Sequence, residues 1–137
     1  MEECSVTVAR YIRVLLGTLP VFLAIDAVWL VGIARRFYDQ QLAGFERVVR
    51  WPPVALVYVL LVAGSVLLTV PLAGGSAGKA FLYGAALGLV AYGTYDLTNY
   101  ALLKGWTLAM TVVDIAWGTV IQAITALAAT LISNRLG

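Results

Sequence analysis

The sequence predicts an all-α fold of the polytopic membrane class. The expected architecture is an antiparallel four-transmembrane-helix bundle with an interfacial amphipathic helix between spans one and two. Three observations predict it. Of 137 residues, 62% are hydrophobic and 12% charged, against roughly 45–50% and about 25% in soluble domains. Four apolar stretches, each long enough for a hydrocarbon core about 30 Å thick, alternate with short polar links. Charged residues gather at the ends of those stretches, except for three aspartates that lie inside them.

The same composition excludes several classes. A net charge of +2 with no basic stripe and interleaved aromatics gives no reason to expect a nucleic-acid partner. Cys4 is the only cysteine, so no internal disulfide forms. Histidine is absent, which removes the commonest ligand for zinc, copper or haem, and neither metal nor cofactor is expected.

Residues 1–13 read as a short polar lead with Glu2, Glu3, Arg10 and Arg13. Residues 14–34 are the first span; they exceed the apolar core of a signal peptide, about 7–15 residues. Pro20 should kink this span unless a neighbour satisfies the freed carbonyl. Residues 36–50 read as the interfacial helix, because Tyr38, Leu42, Phe45 and Val49 recur on one face and Arg36, Asp39, Gln40, Arg47 and Arg50 take the other. Trp51 then anchors the interface ahead of Pro52 and Pro53. The second span is 54–73, with Tyr58, Ser65 and Thr69 as its polar side chains. The glycine-rich run 74–78 is a turn and not a phosphate loop, since it lacks the strand and spacing of one. The third span is 80–103, between Lys79 and Lys104, and the fourth is 107–132, with Arg135 beyond it. Short links between long helices make one antiparallel domain.

Orientation is weakly specified. Arg10, Arg13, Lys79 and Arg135 share one side, and Arg35, Arg36, Arg47, Arg50 and Lys104 share the other. The positive-inside rule tilts toward a cytoplasmic second set. Dual insertion as an antiparallel homodimer stays open, as does a larger membrane complex.

The three aspartates form a predicted layer. Asp26 lies eight residues before Ala34, Asp96 eight before Lys104, and Asp114 eight after Trp106. In the antiparallel order those ends share a side, which puts all three carboxyls about 12 Å below one surface. Gly84, Gly88, Tyr92 and Asp96 follow at four-residue steps, and Asp114, Gly118, Gln122 and Thr125 share a face. Small residues mark helix contacts, so these faces should point inward, as should Asp26. No lysine or arginine lies within a span. The carboxyls must then be protonated, hydrogen-bonded to Tyr95, Thr98, Asn99 or each other, or paired with a bound cation. Residues 25–29 and 113–117 share the pattern (Ile/Val)-Asp-x-x-Trp, which reads as a common local need for an Asp-Trp face more readily than as an inverted repeat.

Two stretches, DAVWLVGIARRFYDQQL at 26–42 and AYGTYDLTNYALLKGWTLAMTVVDIAWGT at 91–119, resemble the bacterial predicted-membrane-protein family called domain of unknown function 2177. The resemblance covers nearly the whole chain. It implies a small four-helix integral membrane protein of bacteria, and it brings no activity with it; the expected location is the bacterial cytoplasmic membrane.

Two functional readings stand level. In one, Asp26, Asp96 and Asp114 bind or translocate a proton, a cation or a small cationic solute, with Asn99, Tyr95, Thr98 and Gln122 as polar partners and Trp29 and Trp117 as aromatic faces. In the other, the same residues are an interhelical polar clamp in an accessory subunit. An enzyme is less favoured. Tyr95-Asp96 resembles half of an intramembrane aspartyl protease site, but Thr111, Val112 and Val113 precede Asp114 where a Gly-x-Gly-Asp motif would be needed.

Overall fold

The computed structural model describes residues 2–137, with side chains from Thr7 onward. Met1 and the side chains of Glu2, Glu3 and Cys4 lie outside the described residues. Helix α1, Glu2–Ala27, runs through Pro20 and continues as a π-helical turn, Val28–Ile33. The residues expected as a polar lead are therefore its first turns. Val8, Tyr11, Ile12 and Leu15 explain why: they repeat at helical spacing along one groove, and helix propagates readily from a turn already formed.

The interfacial helix expected over 36–50 is shorter. It is confined to α2, Arg35–Gln41. Gly44 is a poor helix residue, and contacts beyond the helix hold the chain in another course. Both terminal nitrogens of Arg47 donate to Asp39 Oδ1 at 3.2 Å. The Phe45 ring meets Trp106 edge-on at 6.0 Å. Val49, placed by periodicity on the face of Tyr38, is 63% exposed.

Helix α3, Trp51–Gly64, starts with prolines in its first turn, where a missing N–H is harmless. It passes through a π segment, Ser65–Thr69, into α4, Val70–Ala73. Gly74 and Gly75 turn the chain at φ +54° and +81°, conformations that only glycine adopts freely. Ser76 caps α5, Ala77–Leu102, and Thr107 caps α6, Leu108–Leu136, by accepting from Met110 N at 3.0 Å.

Three helical stretches are long and apolar enough to cross a membrane: Thr7–Ile33, Trp51–Ala73 and Leu108–Leu136. Helix α5 has comparable length, 26 residues, but carries Lys79, Asp96, Asn99 and four tyrosines and falls outside that set.

Helix α6 is the hub, packing on α5, α1 and the π segment of the second rod. Its contact with α5 is unusually close. A Cβ on Gly84 would stand 2.4 Å from the Gln122 carbonyl oxygen, and one on Gly88 would stand 2.3 Å from that of Gly118. Helix α3 packs instead on α1, and the second rod meets α5 through Ser65–Thr69 and Val70–Ala73. Between them Val14, Phe22, Val62, Val66, Val70, Ile121 and Ala129 form the core.

Candidate functional site

Close packing of α1 on α6 leaves Asp26 only 6% exposed. Its carboxyl accepts from Tyr58 Oη at 2.9 Å and from Trp117 Nε1 at 3.0 Å, so one acid joins α1, α3 and α6. Trp29 lies flat on Trp117, ring centroids 4.4 Å apart and planes 6° apart. Trp29 Nε1 donates to Tyr38 Oη at 3.2 Å, and Tyr38 Oη donates to Asp114 Oδ1 at 2.5 Å. The two Asp-x-x-Trp patterns thus cross-pair. The tryptophan of α6 serves the acid of α1 directly, and the tryptophan of the π turn serves the acid of α6 through Tyr38.

The wide turn at Val28–Ile33 closes with Ala34 N donating to Trp29 O at 2.7 Å. Such single π turns recur at functional sites; here the turn carries Trp29 and leads the chain into α2. Burial first, and then the Asp114 carboxyl it donates to, push the Tyr38 phenol above the ordinary phenol range. It stays a neutral donor at any working pH.

Asp96 differs in kind. It is fully buried, and neither carboxyl oxygen has a hydrogen-bond donor among the described residues. Its interacting neighbour is the other acid, Asp114. The hydrogen bonds expected from Tyr95, Thr98 and Asn99 are not made. Thr98 is exposed and Asn99 half-buried. Tyr95 is 59% exposed, within reach of Asn99 one turn on, with its ring edge-on to Trp106. The reason is angular. Positions 95, 98 and 99 lie on the flanks of α5, off the buried set of Ala80, Gly84, Gly88, Gly93 and Asp96.

Asp26 and Asp114 line one cleft of about 260 Å³ together with Tyr38, Tyr58, Tyr92 and Trp117. A second cleft of about 310 Å³ adjoins it, bounded by Val57, Leu61, Ala91, Tyr92, Tyr95 and Asp114. Tyr92 stands between the acids because Gly118 leaves room for its ring: a Cβ there would lie 2.0 Å from Tyr92 Cγ.

Gln122 belongs elsewhere. It is fully buried, accepts from Ser65 Oγ at 2.8 Å and donates to the Leu61 carbonyl at 3.2 Å. That is a tie between α6 and the second rod. Gln122→Leu should lower unfolding free energy by about 1 kcal/mol, in line with interhelical bonds in membranes. Reversible unfolding in mixed micelles checks it.

Tyr38 and Tyr58 are the site residues that sequence reasoning missed as donors. Tyr58 was within reach of it: it lies seven residues inside Trp51, a depth like that of the acids. Tyr38 was not, since its partner Asp114 is 76 positions away.

Among the described residues no group of three acids comes close enough to hold a metal ion. Compared with known sequences, residues 11–131 match a family described as "Predicted membrane protein (DUF2177)". No curated protein and no solved structure matches the chain.

Proposed function

The chain belongs to the DUF2177 family of predicted membrane proteins, and from that premise we propose a four-span protein whose acidic layer holds an exchangeable proton or cation. Helix α5 serves as the fourth span. Its outward residues Leu82, Val90 and Leu97 are 66%, 67% and 56% exposed, an apolar face suited to acyl chains. The bacterial cytoplasmic membrane is the expected setting, in keeping with the sequence blocks at 26–42 and 91–119.

The observation that carries the reading is Asp96. A fully buried carboxyl without a donor, beside a second carboxyl, is not stable as a bare charge at this depth; the penalty is at least about 2.5–3.5 kcal/mol. Two neighbouring carboxyls settle this by sharing one proton. Asp26 is placed differently, its carboxyl accepting from two neutral donors.

Infrared spectroscopy of the protein in lipid tests it. A protonated-carboxyl band should be present at neutral pH, vanish in Asp96→Asn and persist in Asp39→Asn. Absence of the band from the unmodified protein would overturn the reading. The alternative, an accessory subunit held together by a polar clamp, is favoured by the ties of Asp26 and Gln122. Isolation in mild detergent of a stoichiometric complex with a larger membrane protein would decide for it.

A further inference from the structure

We propose that the cleft beside Asp114 takes a lipophilic organic ammonium ion, entering sideways from the bilayer between α3 and α5. The charged nitrogen sits at Asp114, and the apolar body lies along Val57, Leu61 and Tyr92. This rests on the acidic layer being a cation site and names the kind of cation.

The two clefts share Val57, Leu61, Tyr92 and Asp114 along their walls, so they adjoin at Asp114. The cleft with Ala91 and Tyr95 has aliphatic and aromatic walls and Asp114 as its one carboxyl, the usual design of a small-molecule site. Asp26 lines only the neighbouring cleft and already takes two donors, from Tyr58 and Trp117; Asp114 lines both clefts, and its neighbour Asp96 lines neither. Among the described residues Asp114 takes one, from Tyr38, and fully buried Asp96 takes none. If the two share a proton, the pair carries a single negative charge, which one ammonium neutralises.

Ligand chemistry separates an ammonium from a metal ion. Calcium and magnesium require six or more oxygens in a compact shell, and the acids here do not group that way. An organic ammonium needs one or two acceptors and gains from an aromatic face, which Tyr92 provides.

The entry route selects a lipophilic ligand. Val57 and Tyr95 are 53% and 59% exposed on the outer face of the helices. The second rod meets α5 through Ser65–Thr69 and Val70–Ala73, away from the acids. At the level of Asp114 the gap between α3 and α5 therefore faces the acyl chains. A solute that arrives by this path is one already dissolved in the bilayer.

The test uses the full chain in lipid nanodiscs, with a nitroxide-labelled decylammonium probe and its uncharged amide counterpart, read by quenching of tryptophan fluorescence against empty nanodiscs. Saturable quenching by the ammonium, at least tenfold weaker for the amide, is expected. Asp114→Asn should weaken ammonium binding at least tenfold. Ala91→Leu, which fills the cleft without touching an acid, should do the same while keeping the protonated-carboxyl infrared band. Equal binding of the two probes, or ammonium binding that survives both substitutions, overturns the proposal. So does disulfide capture of two Val57→Cys copies with no ammonium binding, which would assign this face to a second copy of the chain. A carboxyl band that persists without ammonium binding overturns this inference alone and leaves the shared proton standing.

Discussion

Gly88→Ala is expected to destabilise the protein by about 3 kcal/mol, the upper part of the range for an overpacked contact. The new methyl would lie 2.3 Å from the Gly118 carbonyl oxygen and 2.9 Å from Gln122 Cβ. Neither neighbour is a flexible chain end, so α5 must move away from α6. The natural control is on the same helix. Gly93 is buried, yet a Cβ there meets nothing within 4 Å. Gly93→Ala should be neutral or stabilising by up to about 1 kcal/mol, the helix-propensity gain alone. Unfolding midpoints of the two variants, measured side by side, check both. Equal midpoints would mean that α5 and α6 do not touch as described.

The second large effect is at Asp26. Asp26→Ala removes the acceptor of both Tyr58 Oη and Trp117 Nε1. Each stranded donor is worth about 1–3 kcal/mol, and the low average for bonds inside membranes puts the sum near 3 kcal/mol. Asp26→Asn keeps an oxygen for one donor and should lose roughly half as much. Tyr58→Phe removes one partner only. Combined with Asp26→Ala it should lose less than the two single losses added, because they share a bond. Thermal unfolding and the emission of Trp117 provide the readouts. Full stability of Asp26→Ala would show that the three-helix junction does not depend on this acid.

The sequence carried the rod-like elements well, because uncharged length and Gly/Pro punctuation are local properties. The ends of α5 and α6 fall within a few residues of the expected spans, set by Ser76, Thr107 and Gly105. Periodicity also marked the buried stripe of α5 through Gly84, Gly88 and Asp96. It failed after Gln41, where Asp39–Arg47 and Phe45–Trp106 contacts redirect the chain. A face drawn from spacing holds only while the backbone stays helical.

The acids illustrate the same divide. Depth could be counted along each helix, and the counts were comparable. Partners could not be counted, since they come from other helices. Tyr38 reaches Asp114 from outside the spans, and Trp117 reaches Asp26 across 91 positions. Thr98 and Asn99 lie two and three positions from Asp96 in the chain, but proximity in sequence on a helix does not mean the same azimuth.

The glycine notches have a mechanical consequence. Where two backbones rest on each other with no side chain between them, they cannot slide or tilt without collision, so α5 and α6 act as a stator. Any change in the aperture beside Asp114 must come from the opposite wall. That wall is helix α3, which is tethered by Tyr58 on Asp26 and by the Gln122 bond to the Leu61 carbonyl, so the aperture widens only as those two ties let go.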